Sequence, residues 1–405
     1  MLYIKNMLTR TIATELQAAA KEYPVTTVFG PRQSGKTTLA RMTFPEKPYC
    51  SLEDPDTRRA ATLDPRAFLK GFPEGAIFDE IQHTPELLSY IQGLVDLNPV
   101  PGRYLLTGSR QPSLHEAVSQ SLAGRTAILT LLPFSFEELK NYNVAPEAFP
   151  LMVTGGFPRL HENRLAIDRF FNGYVQTYLE RDVRSLIRLK DLGRFQQFLT
   201  LLSGRIGQLV NYNSVSNDIG VSPATVKNWI SVLKASFVIF ELQPWFMNVG
   251  KRVMKSPKIY FTDTGLAAFL LGITDAKMLA RDPLRGGLYE NFVIIEFLKA
   301  HYNRGKRPAL YFYRDSHGNE VDLLVKQGNI FVPVEIKSAQ TFTESFLRGI
   351  ERFTGTVGAG NCRNAMVCFN GDVRMSVRGV EVFNPLRHRS IDEMVNAGFP
   401  DDFKT

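Results

Sequence analysis

Residues Gly30-Pro31-Arg32-Gln33-Ser34-Gly35-Lys36-Thr37-Thr38 place a glycine five positions before a second glycine, which is followed by a lysine and two hydroxyls. This is the phosphate-loop spacing GxxxxGK[ST]. Glycines let backbone N–H groups curl around an oxyanion, and a helix that starts there adds its dipole. Lys36 would reach the β- and γ-phosphates of ATP, and the Thr37 hydroxyl would hold Mg2+. A second group lies at Gly75-Ala76-Ile77-Phe78-Asp79-Glu80, where an apolar run ends in two acids. Asp79 would hold Mg2+ through water, and Glu80 would orient and deprotonate the attacking water. Standing alone, an apolar run with Asp-Glu is usually a strand end; one βα unit after a phosphate loop it is the Walker B signature.

A third group sits near the C-terminal end of the sequence. Val334-Glu335-Ile336-Lys337 puts Glu335 and Lys337 on one face of a strand and the apolar pair on the other. Asp322 lies on the preceding strand, and the helix before it carries Glu290 and Glu296. Carboxylates on two adjacent strands and one helix could bind a divalent ion through oxygen, with Lys337 helping to generate or orient hydroxide. That is the equipment of metal-dependent phosphodiester cleavage. A cross-strand Glu–Lys pair on an exposed face is the plainer alternative.

The elements that must position these groups follow from periodicity and punctuation. Residues 8–22 have helical spacing, with Leu8, Ile12 and Leu16 on one face. The β-branched run Val25–Phe29 predicts the strand before the phosphate loop. Further strands are expected at 48–52, 75–79, 103–106 and 126–132, with helices near 57–70, from Thr84-Pro85-Glu86 onward, and at 113–122. Alternating strands and helices predict an α/β parallel sheet covered on both faces. In additional-strand ATPases a polar residue at the tip of the fourth strand senses the γ-phosphate; Ser109 or Thr107 stands there, where Asn is usual. Arg125, between the fourth helix and fifth strand, occupies the arginine-finger position, for use in cis or on a neighbouring copy in a homo-oligomer. A charge after a glycine cap explains it equally simply.

Residues 151–285 are expected to be mostly helical, with Arg169–Arg188 forming one long basic helix. A short helix at 214–219, a turn at Gly220-Val221 and a Ser222-capped helix make a helix-turn-helix pattern, and 237–242 reads as the wing of a winged helix. Thr225, Lys227, Asn228, Lys251, Arg252, Lys255 and Lys258 would then contact DNA, although winged helices also serve as protein-contact modules. The formal net charge is +8, and residues 161–260 hold 14 Lys/Arg against 7 Asp/Glu, so the basic excess concentrates in this segment. Residues 286–405 predict the order α-β-β-β-α-β. The 405 residues exceed one core. The expected division is 1–150, 151–285 and 286–405. Three scattered cysteines without CxxC argue against zinc and for a reducing cytoplasm. No run is long enough to span a bilayer, and no signal peptide is apparent.

The whole arrangement resembles a prokaryotic family that joins an AAA-like ATPase domain to a C-terminal domain of unknown function. The motifs that carry the resemblance span about residues 8–370: Gly30–Thr38, Phe78-Asp79-Glu80, Leu106–Ser109, Leu122–Arg125, Gly155–Pro158, Tyr178–Val183, Pro257–Gly265, Tyr289-Glu290-Asn291, Glu320-Val321-Asp322 and Glu335-Ile336-Lys337. The resemblance implies ATP binding and hydrolysis, and a PD-(D/E)xK nuclease-like fold for residues 290–370. It also selects Glu290 over Glu296 as the helix-borne carboxylate. The expected function is a Mg2+-dependent ATPase that engages DNA and cleaves it. The alternatives are a nucleotide-controlled switch whose last domain only binds, and a regulator acting through the winged helix.

Overall fold

The computed structural model describes residues 9–109, 118, 120–141, 144–179, 191–246 and 256–398. Chain order begins with helix α1, Ala13–Glu22. Leu16 on its inner face and Ile12, which precedes its first turn, are fully buried. Strand β1, Val25–Phe29, is buried at all five positions, as expected of a strand covered on both sides. Helix α2, Lys36–Thr43, follows the phosphate loop directly. Strands β2 (Tyr49–Ser51), β3 (Ile77–Asp79), helix α3 (Leu87–Leu97), β4 (Tyr104–Gly108) and β5 (Thr126–Thr130) complete the unit. The sheet order is β2-β3-β4-β1-β5, and every pairing is parallel. β1 is therefore an interior strand, between β4 and β5, and its C-terminal end opens where a ligand crevice forms in such sheets.

Local chemistry moves some boundaries. The single helix expected at 57–70 is two, Pro55–Leu63 and Pro65–Lys70. Asp54 and Asp64 each cap one, with proline at the first turn of both. Of the long helix expected over Arg169–Arg188, the described part is α-helical to Tyr174, from Ile167, and then widens to a π turn over Val175–Leu179; residues 180–190 lie outside the described residues. Arg181, Asp182, Lys251, Arg252, Lys255, Leu8 and most of the 113–122 helix lie outside the described residues.

Helices α4 (Leu192–Ser203), α5 (Tyr212–Ile219) and α6 (Pro223–Ala235) pack together. Gly220 ends α5 with a φ of 72°, and the Ser222 side chain accepts from Thr225 N to start α6. Trp229 is buried against Phe195 and Phe198, with ring centroids 5.4 and 5.1 Å away. Lys227 and Asn228 stay exposed. The expected wing is strand β6, Ile239–Pro244, paired antiparallel with β7, Lys258–Phe261. It does not stand free. The end of β6 pairs in parallel with β8, Leu310–Arg314, at Gln243↔Tyr311 and Pro244↔Phe312.

Between β7 and β8 runs helix α7, Arg285–Tyr302. Then come β9 (Glu320–Gln327), β10 (Ile330–Lys337), helix α8 (Arg348–Val357) and β11 (Met366–Phe369). A short β12–β13 hairpin, Met375–Val377 and Val380–Phe383, follows; sequence periodicity gives no sign of it. The resulting eight-stranded sheet has the order β12-β13-β11-β10-β9-β8-β6-β7. It takes two strands from the segment 151–285 and the rest from 286–405.

A buried seam ties the two sheets. Phe136 N donates to Glu296 Oε2 at 2.7 Å, and Lys299 Nζ donates to Phe134 O at 2.8 Å, both residues lying on α7. Asp263 accepts from Gly156 N at 2.7 Å, and Gly156 O accepts from Phe134 N at 2.8 Å. Among the described residues no helix is long and apolar enough to cross a membrane.

Candidate nucleotide site and carboxylate–lysine centre

The loop between β1 and α2 is shaped by two glycines. Gly35 has a φ of 91°, the left-handed region that favours glycine. A Cβ on Gly30 would lie 2.1 Å from Leu131 O, because the loop passes directly over the chain leaving β5. Gly30→Ala is therefore expected to destabilise the protein by at least about 2 kcal/mol. A urea midpoint equal to that of the unaltered protein would contradict this close approach.

Lys36 is buried and donates to Gly30 O at 3.1 Å and Pro31 O at 2.8 Å. The first-turn amides at the start of α2 have no carbonyl four residues back within the helix. Thr37 Oγ1 donates to both oxygens of Asp79, at 3.0 and 2.9 Å. Tyr49 OH donates to Asp79 Oδ2 at 2.9 Å, and Thr107 Oγ1 also bonds this carboxylate. Burial, then the Asp79 charge, pushes the Tyr49 hydroxyl up to about 12, so it stays a donor. Glu80 adopts a left-handed backbone, φ 58°, which turns it out of the strand. Gln82 Nε2 bonds Glu80 Oε2 and lies 3.2 Å from Ser109 Oγ. Of the two sensor candidates, Ser109 is thus linked to Glu80, and Thr107 is spent on Asp79.

Arg10 supports the loop from below. Its guanidinium donates to Glu138 Oε1 at 3.0 Å, Ser34 O at 2.8 Å and Leu132 O at 2.7 Å. It also lies 4.6 Å from the centroid of the Phe134 ring. Arg32 in the loop sits over the Tyr178 ring, 5.6 Å from its centroid. A cavity of about 170 Å3 opens beside α2, lined by Ala13, Gly35, Thr38, Leu39, Phe134 and Pro158 among others. It adjoins the loop at Gly35. Gly30 without room for a Cβ, the left-handed Gly35, the buried Lys36 and the Thr37–Asp79 pair together fit a nucleoside triphosphate with Mg2+.

Arg125 is elsewhere. Its carbonyl accepts from Val25 N, at the N-terminal end of β1, whereas the phosphate loop leaves the other end. Its guanidinium pairs with Asp96 on α3, Nη2 to Oδ2 being 3.0 Å. Arg125 therefore lies at the opposite end of β1 from the phosphate loop, tied to Asp96.

The C-terminal acids do come together, with partners that the sequence did not pair. Asp322 and Glu335 face each other across β9 and β10, continuing the register Val334↔Leu323. Lys337 Nζ bridges them, at 3.2 Å from Asp322 Oδ2 and 2.6 Å from Glu335 Oε1. Both acids are buried, which corrects the picture of an exposed cross-strand pair. Ile336 N also donates to Asp322 Oδ2 at 2.8 Å. Glu290 accepts from Tyr260 OH at 2.5 Å and from Lys258 Nζ at 3.1 Å. Lys258 also pairs with Glu320. Burial, then the Asp322 charge, raises the Glu290 and Glu335 carboxyls above the usual range, against the pull of the two lysines. Glu335 Oε2 has no hydrogen-bond partner among the described residues.

Lys258 is a correction. Grouped by sequence with the DNA-contacting lysines, it is only 2% exposed and belongs to this centre. Glu296 is buried in the seam, so Glu290 is the α7 carboxylate that joins Asp322 and Glu335. Among the described residues, no group of three or more His, Cys, Asp or Glu side chains is disposed to hold a metal ion. The residues present therefore do not fit the expected divalent ion, since lysines already span their carboxylates.

A family model agrees with the first part of this picture. Residues 22–140 match an AAA domain model; residues 147–277 and 285–388 each match a domain of unknown function. Uncharacterized proteins of Mycobacterium tuberculosis and Mycobacterium bovis are each 34% identical over 338 residues, covering 82% of this chain and 74% of theirs. An uncharacterized protein of Haemophilus influenzae is 24% identical over 214 residues, covering 49% of this chain and 52% of its own. Among solved structures, a Walker-type ATPase of Pyrococcus abyssi aligns with a TM-score of 0.43 at 16% identity, over 67% of this chain and 99% of that one. DnaA of Aquifex aeolicus bound to AMPPCP aligns with a TM-score of 0.29 at 13% identity, over 55% of this chain and 85% of that one.

Proposed function

The chain belongs to the family of these two mycobacterial proteins and carries a P-loop, AAA-like ATPase domain, and from that premise we propose that it hydrolyses ATP with Mg2+ and uses the cycle to control its C-terminal half. The observation that carries this reading is the contact of Thr37 with Asp79, with Glu80 next in sequence and held by Gln82 beside Ser109. The loop from Gly30 to Thr38 would hold the phosphates through its amides and Lys36. Mg2+, held by Thr37 and Asp79, would neutralise charge on the transferred group. Glu80 would accept the proton of the attacking water, and Ser109 would report the γ-phosphate through Gln82. Arg125, on the far side of the sheet, would serve a neighbouring copy's nucleotide. Phosphate release by the full chain, with and without Mg2+, tests the proposal; no release above background in either condition would end it.

Helix α6, packed behind α5, presents Lys227 and Asn228 to solvent, which supports DNA contact by a helix-turn-helix. For the last domain two readings compete. The order of elements and the grouping of Glu290, Asp322, Glu335 and Lys337 support a nuclease-like centre. The two lysines lodged among the acids favour the second reading, a switch whose C-terminal domain binds without cutting. Incubation with linear, single-stranded and branched DNA, with Mg2+ or Mn2+ and with or without ATP, separates them. The second reading expects no cleavage; cutting that disappears in Glu335→Ala would establish the first.

A further inference from the structure

Four carboxylates converge on one end of the second sheet: Glu290 from α7, Glu320 and Asp322 from β9, and Glu335 from β10. As placed, no three of them are disposed to hold an ion; acids in this number need a cation to draw them together, and a hard divalent one takes several oxygens as ligands. Here two lysines do that work. Lys337 spans Asp322 and Glu335 at the rim. Lys258 is deeper. Its ammonium contacts Glu290 and Glu320, and it lies 5.5 Å from the centroid of the Phe312 ring. Its side chain is 3% exposed.

The surroundings are built to keep it there. Lys258 opens β7, which pairs antiparallel with β6 through Leu242. Its backbone also bridges to Leu209. Gly207 closes over the Glu290 carboxylate, where a Cβ would stand 3.3 Å from both oxygens. Tyr260 OH takes the same Glu290 oxygen that Lys258 contacts. A lysine ammonium has three donors and a compact charge, so it can engage the very oxygens an ion would use.

We propose that Lys258 is a protein-supplied cation that occupies the ion position of this centre, so that the native chain binds no divalent ion there. The site is a latent one for a hard divalent cation, opened only when the lysine is removed. This inference stands apart from the ATPase reading, because it concerns only α7 and the second sheet.

The test uses the full chain without nucleotide, in an Asp79→Asn background so that the phosphate loop, whose ion Thr37 and Asp79 would hold, contributes none. Mn2+ is titrated and the free ion followed by electron paramagnetic resonance. The Lys258-containing chain is expected to show no Mn2+ binding that Glu290→Gln or Glu335→Gln removes. Lys258→Met is expected to gain a site, with affinity at least roughly tenfold higher, and to lose it again when combined with Glu290→Gln. Lys258→Arg keeps the charge and gains nothing. Should Lys258→Met fail to fold, thermal melting of the chain with Lys258 and of its Glu290→Gln variant, each with and without Mn2+, gives the decision. Mn2+ should then shift neither. Binding to the native centre that depends on Glu290 or Glu335 overturns the proposal, as does a folded Lys258→Met variant that gains no ion.

Discussion

Glu80→Gln is expected to leave ATP bound and to slow its hydrolysis by about 10²–10⁴-fold, the usual worth of a positioned general base. Glutamine keeps the shape and can still meet Gln82, but it cannot accept a proton. Lys36→Ala should act earlier. It removes the buried ammonium now held by Gly30 O and Pro31 O, and with it the charge that faces the phosphates, so nucleotide binding should weaken along with turnover. Equilibrium binding of a labelled nucleotide, measured beside phosphate release, tells the two apart. If Lys36→Ala kept full binding and turnover, the loop would not be the nucleotide site. If Glu80→Gln hydrolysed ATP at the native rate, the base would have to be found elsewhere.

Removing Arg10 should cost the fold itself. Its side chain is 6% exposed and its partner Glu138 only 1%. Breaking a buried ion pair from one side strands the other charge, at about 3–5 kcal/mol. In Arg10→Met, Glu138 keeps Thr11 N and Ser135 N as donors but loses its cation. Ser34 O and Leu132 O also lose a donor, so the phosphate loop should loosen together with the core beneath it. The double variant Arg10→Met/Glu138→Gln should recover part of the loss, because no uncompensated charge then remains. Chemical denaturation of the four proteins forms a double-mutant cycle. A coupling near zero would mean that the pair does not support the loop.

What could be read from the chain was what is local in it. The phosphate loop announces itself because its glycines, lysine and hydroxyl act through spacing within one turn, and Asp79-Glu80 through position in the same βα rhythm. Tyr49, Gln82 and Arg10 are invisible at that range. Arg10 reaches Glu138 across 128 positions, and no periodicity encodes such a contact. Lys258 shows a different blindness: a sequence displays charge but not burial, so a lysine near other basic residues was grouped with surface contacts. β6 has the alternation of a wing, yet only its last two residues, bonded to β8, decide that it belongs to a larger sheet. Asp322 and Glu335 could be placed on adjacent strands from the order of elements, but it is the observed β9–β10 register that sets them opposite each other.

Because α7 carries Glu290 near its start and grips Phe134 and Phe136 through Lys299 and Glu296 further along, one rigid rod is shared by the two halves of the molecule. Ancestry is therefore constrained as well as shape. A gene fusion or exchange that swapped the ATPase unit alone would bring in a 134–136 strip whose amide and carbonyl face a foreign helix, leaving buried polar groups unmet. The two halves are expected to travel together through recombination, and their substitutions along this rod to be correlated.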